Sequence, residues 1–149
     1  MARTALTKSF AAELNAWQAG AQIYAIVHVS VRAGTKPYAD VNKVALMRVS
    51  ERLIPLDSGH EATVEKLLYD NQRSFYKPLR FDAVFPDFWL LDMASDYPME
   101  VFGMNTAEYL ARKVVKVAHY NANYPSGWWQ WDACANATIA PLPVSAESA

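Results

Sequence analysis

Residues 85–102 read FPDFWLLDMASDYPMEVF. Two short apolar and aromatic runs, around Trp89 and around Val101, flank a polar break at Ser95 and Asp96. Such runs divided by turn residues predict two strands. Asp87 opens the first run, and Glu100 follows thirteen positions later in the second, a spacing long enough for a strand, a turn and the return. The segment Arg80–Glu100 is therefore expected to be a β-hairpin that presents Asp87 and Glu100 side by side. Paired carboxylates suit Mg²⁺, which takes hard oxygen ligands and uses one or two carboxylates while keeping waters and substrate phosphates in the rest of its shell.

Upstream, Ser58 and Glu61 form an S-x-x-E capping box that starts a helix fading near Arg73, with Val64, Leu67 and Leu68 as its apolar stripe. FYKPLRFDAVF (75–85) reads as a further strand before the hairpin. Downstream, Asn105 and Glu108 form a second box that opens a helix from Thr106 to about Tyr120, with Leu110, Val114 and Val117 as its buried face. GWWQWDA (127–133) is a last strand. From Ser58 the order is thus helix, three strands, helix, strand. In front lie an amphipathic helix over 8–18 ended by Gly20, a strand in QIYAIVHVSVRAG, a turn in GTKPYADVN and a second strand in KVALMRVSERLIPLD. The fold class is α+β, a helix plus a β-meander followed by an α-β-β-β-α-β core. One domain is expected over 1–140, with 8–57 as an extension and 58–134 as the core. The Pro-, Ser- and Ala-rich residues 141–149 are expected to fray.

The 149 residues are enough to bury a core without a disulfide or structural metal. With 52% hydrophobic and 19% charged residues, the composition is that of a globular protein. A net charge of −1 excludes the strong basic field of an autonomous nucleic-acid binder. The single Cys134 excludes an internal disulfide and a cysteine zinc site. The first 20 residues lack the apolar core of a signal peptide, and no stretch reaches the roughly 18 apolar residues of a membrane span. A cytoplasmic protein with no membrane association is expected.

Pro86-Asp87-Phe88 followed by Glu100 resembles the motif of the PD-(D/E)XK nucleases, and the element order from Ser58 resembles their restriction-endonuclease-like core. The resemblance implies a Mg²⁺ site, with Mn²⁺ as a substitute, held by Asp87, Glu100 and the carbonyl of Val101. A glutamate on the preceding helix, Glu61 or Glu65, would assist, and Glu65 is taken as the ligand. A narrower likeness covers about Ile54 to Ala133. IPLDS, Arg73, KPLRFDA, FPDFWLLD, PMEVFGMNTAEYLARK and WWQWDA resemble a bacterial family of unknown function carried largely on conjugative plasmids and integrative elements. Its members are longer at the N-terminus, which implies a short version or a C-terminal piece.

The nuclease pattern reads E-x-K because strand residues two apart share a face. Here it is Glu100-Val101-Phe102, so Phe102 stands where the lysine belongs. In related families that lysine moves to the next helix, which makes Lys113 and Lys116 the candidates. At roughly 100° per residue, Lys113 lies about 60° and Lys116 about 120° from the Leu110–Val114–Val117 face. Lys113 is thus the better placed, and Gln130 on the last strand is a further polar contributor. Against these readings, Glu61 and Glu65 are more often solvated, and the two lysines more often surface residues. Trp128, Trp129 and Trp131 suit core packing better than base stacking. His28, His60 and His119 lack metal-ligand spacing, and His60 is expected to be exposed.

The resemblance implies a Mg²⁺-dependent DNA nuclease, or a nuclease-derived domain, of mobile-element biology. Asp87, Glu100 and Lys113 or Lys116 would carry the chemistry. The alternative is a catalytically inactive module docking DNA or a conjugation or replication protein. Oligomeric state is not readable from the residues.

Overall fold

The computed structural model describes residues 2–34, 38–78 and 84–146. The chain forms two compact units, Met1–Asp57 and Ser58–Ala149.

The first unit begins with two short helices, α1 (Ala2–Ser9) and α2 (Ala11–Gln18), where one helix over 8–18 was expected. Gly20, at φ +93°, closes α2 with a Schellman arrangement, Gly20 N–H donating to Trp17 O (2.9 Å) and Ala21 N–H to Ala16 O (2.9 Å). A long antiparallel pair follows, β1 (Gln22–Arg32) and β2 (Tyr38–Val49). A bulge between His28 and Val29 shifts its register. Ile26, Val29, Val31 and Val41 on this ribbon are exposed, Val31 to 73%.

The second unit runs α3 (Gly59–Asp70), β3 (Phe75–Tyr76), β4 (Phe88–Leu90), β5 (Tyr97–Phe102), α4 (Ala107–Asn123) and β6 (Trp129–Asp132). That is the expected order, with β3 and β4 shorter than their apolar runs. Residues 79–83, Arg80 among them, lie outside the described residues. The sheet order is β3-β4-β5-β6, antiparallel except for the parallel β5–β6 pair. Ser58 caps α3 by accepting from Glu61 N–H (3.1 Å). At α4 the cap is Thr106, accepting from Tyr109 N–H (3.3 Å), where Asn105 was expected.

The core comprises Val64 and Leu68 of α3, Phe88 and Leu90 of β4, Pro98 to Phe102 of β5, Tyr120 of α4, and Trp129 and Trp131 of β6. The central strand β5 is buried on both faces, so its residues read as one apolar run interrupted by Glu100. The tryptophans pack as expected. Trp129 and Trp131 are buried, and Trp128 lies against Tyr120 with ring centroids 4.9 Å apart.

The expectation of a frayed tail does not hold for 141–146. The Trp129 indole donates to Pro141 O (3.0 Å), Arg73 Nη1 to Pro143 O (2.6 Å), and Ala146 N–H to Asp92 O (2.9 Å). Arg73 also clamps Asp92 through Nε (2.5 Å) and Nη2 (2.8 Å). The tail is a strap over the sheet, held by buried donors that a Pro-rich composition does not reveal.

Candidate functional site

Phe88 pairs with Met99, and Asp87 N–H donates to Met99 O (3.0 Å), which holds Asp87 at the end of β4 beside the stretch of β5 that carries Glu100. Asp87 Oδ2 accepts from Val101 N–H (2.8 Å). Glu100 lies close enough to raise the cost of ionising Asp87. Burial pushes Asp87 up to about 7, with the charges of Glu100 and Glu61 adding to the shift and Val101 N–H and Lys77 opposing it. Burial also raises Glu100, against the pull of Lys116 and Tyr120.

The helix lysine at this pair is Lys116. Its ammonium donates to Glu100 Oε1 (2.6 Å) and to Phe85 O (3.2 Å). The second oxygen, Oε2, accepts from the hydroxyl of buried Tyr120 (2.9 Å), whose own ionisation burial and Glu100 push far upward. Lys113, favoured from the helical wheel, donates instead to Asp132 (2.5 Å) and sits 4.7 Å from the centre of the Phe102 ring. The wheel assumed the wrong buried face. Leu110 and Val114 are 45% and 69% exposed, and the inward face of α4 carries Tyr109, Lys113, Lys116, Val117 and Tyr120. Gln130 is exposed.

The helix acids are not solvated. Glu61 and Glu65 are both buried on the inner face of α3, one turn apart. Lys77 donates to Glu61 Oε2 (2.5 Å), and its ammonium lies 5.2 Å from the centre of the Phe88 ring. Lys77, just past β3 and the first residue of KPLRFDA, entered only through the family likeness and is the site residue not named as a candidate. The charge of Glu61 reaches both Asp87 and Glu100. The acids Glu61, Asp87 and Glu100 thus lie near the ammoniums of Lys77 and Lys116. Tyr109 closes the other end of β5. Its hydroxyl accepts from Gly103 N–H (3.3 Å) and donates to Val101 O (3.4 Å).

The donors fit a hard divalent ion in kind, being two carboxylates with a backbone carbonyl on the adjacent residue. Among the described residues, Val101 N–H is the one hydrogen-bond donor to the Asp87 carboxylate, which leaves Oδ1 open. No group of three or more His, Cys, Asp or Glu side chains there could hold a metal by itself. Any ion would therefore lean on the carbonyl, water or a ligand. His60 is exposed as expected, and it packs its ring edge on Trp131 (5.5 Å between centroids).

Fold and site together define an α+β protein whose second unit holds a carboxylate pair approached by a helix lysine and a loop lysine. The chain belongs to the family described as "Protein of unknown function (DUF1173)", which it matches over residues 1–134. No curated protein and no solved structure matches it. Among the described residues, no helix is long and apolar enough to cross a membrane.

Proposed function

We propose that the second unit is a Mg²⁺-dependent phosphodiesterase of nuclease descent, acting on DNA in the cytoplasm as part of mobile-element biology. Asp87 and Glu100 hold the ion with the Val101 carbonyl, and Glu61, rather than Glu65, is the assisting helix acid. The observation that carries this reading is the reach of Lys116 from α4 to Glu100 (2.6 Å). It supplies the ammonium that Phe102 cannot. A lysine has three N–H donors, and among the described residues Lys116 uses two, leaving one for a phosphate oxygen. Bound Mg²⁺, or Mn²⁺ in its place, would supply Lewis acidity toward a phosphoryl oxygen and a more acidic water. Tyr120 fixes the Glu100 carboxylate from the buried side, and Val101 N–H fixes Asp87.

The test is incubation of purified protein with single- and double-stranded DNA in Mg²⁺ or Mn²⁺. Cleavage that disappears in Asp87→Ala and Glu100→Ala, and falls at least about a hundredfold in Lys116→Ala, is expected. Absent cleavage, or variants that cut like the wild type, sinks the enzymatic reading.

Two observations favour a second reading. The ion pair with Lys116 already neutralises Glu100, and the chain's net charge of −1 provides no basic field. Both suit an inactive nuclease-like module that docks DNA or a conjugation or replication protein. Retention of DNA without cleavage in either metal would select it.

A further inference from the structure

The two oxygens of Glu100 are held differently. Oε2 faces the interior and accepts from Tyr120, which is 1% exposed. Oε1 accepts from Lys116, whose side chain is 25% exposed while that of Glu100 is 4% exposed. Tyr120 cannot leave without opening the core. Lys116 can, because a lysine ammonium on a four-carbon stem swings into water at small cost in packing. The oxygen of Glu100 with the removable partner is therefore Oε1.

We infer that Lys116 is an exchangeable counter-ion, whose ammonium and a divalent cation compete for Glu100 Oε1. This rests on the metal-holding reading of Asp87 and Glu100 given above. An ammonium at Oε1 balances charge while the cation is away. Arrival of the cation releases the ammonium from Glu100 while it stays anchored near Phe85 O, where it can meet a substrate phosphate. The other two lysines of the unit's interior do not share this role. Lys77 is more deeply enclosed, with 11% of its side chain exposed, and Lys113 is committed to Asp132 on the neighbouring strand.

The experiment titrates the full-length protein with Mn²⁺ by calorimetry, without DNA. Lys116→Gln removes the competing charge and is expected to bind Mn²⁺ about 2- to 5-fold tighter than the wild type, the scale of a partly exposed ion pair. Lys116→Arg keeps the charge and should bind like the wild type. Wild-type binding that Lys116→Gln leaves unchanged or weakens overturns the inference and spares the metal site. Absence of Mn²⁺ binding in every variant overturns both. A second readout needs no variant. Amine acetylation followed by mass spectrometry should show Lys116 reacting at least about threefold faster once Mn²⁺ is present, as an ammonium freed from its ion pair would, with Lys113 unchanged. Equal Lys116 reactivity with and without Mn²⁺, in protein that binds the ion, also overturns the inference.

Discussion

The Asp87 carboxylate accepts the N–H of Val101 across the β4–β5 pair at 2.8 Å, which fixes it beside Glu100 although the two acids repel. A native structure that holds two like charges together this way has a stability that depends on pH. Asp87 is raised to about 7, so between its ordinary value of 3.8 and pH 7 the folded chain keeps a proton that the unfolded chain has released. Stability from this group is complete below the ordinary value and is lost as pH rises through 7. Glu100, also raised, adds in the same direction. Asp87→Asn keeps the shape and removes the charge. In metal-free buffer its advantage over the wild type should grow from near zero at pH 4 to roughly a few kcal/mol at pH 8. Parallel pH profiles in thermal melts of the two proteins would refute this.

The Arg73–Asp92 pair has the opposite character. Both side chains are buried, at 8% and 5% exposure, and the guanidinium bonds hold the Asp92 carboxyl below its ordinary range. Arg73→Leu leaves a buried carboxylate unpaired and also frees Pro143 O. A loss of about 3–5 kcal/mol is expected in urea titrations. Tryptophan fluorescence reports the second unit, which holds Trp89, Trp128, Trp129 and Trp131 of the five tryptophans. A loss below about 1 kcal/mol would mean that the pair is a surface-like contact.

Removal of residues 139–149 tests the strap. It strips the Trp129 indole of its acceptor and Arg73 of one of its own. Each buried donor left unmatched costs about 1–3 kcal/mol, so a loss of at least about 2 kcal/mol is expected in the same titration. Unchanged stability would show that water replaces the strap without penalty.

At Gly103 a Cβ would come within 2.7 Å of the His60 ring. The ring belongs to an exposed side chain and can move, but only by leaving Trp131. Gly103→Ala should therefore cost about 0.5–1.5 kcal/mol, the worth of that ring contact. In a His60→Ala background the same substitution should be close to neutral. Equal effects in both backgrounds would place the strain elsewhere.

Much of this architecture was legible in the residues. Ser58 and Glu61 marked the start of α3, and the two apolar runs around Trp89 and Val101 gave the antiparallel strand pair. The inward face of α4 was not legible. A helical wheel looks for apolar residues, but this helix meets acids on the sheet, Glu100 and Asp132, and turns Lys116 and Lys113 toward them. Hydropathy ranks such a face as solvent-exposed. Glu61 and Glu65 were misjudged for the same reason, since a buried acid is recognised by its partner, and Lys77 is sixteen positions from Glu61. The path of the tail was not legible because it is held through its own main-chain atoms, which every sequence has.

That last point reaches beyond the fold. The strap is grasped by Pro141 O, Pro143 O and Ala146 N–H, and the Ser145 hydroxyl donates to Asp92 O. Contacts made by the backbone impose little on residue identity. Evolution can rewrite such a segment while its path persists, provided the chain can still run extended. The family match stops at residue 134, just before this stretch. A kinship traced by residue likeness would lose the strap from view even where every relative folds one.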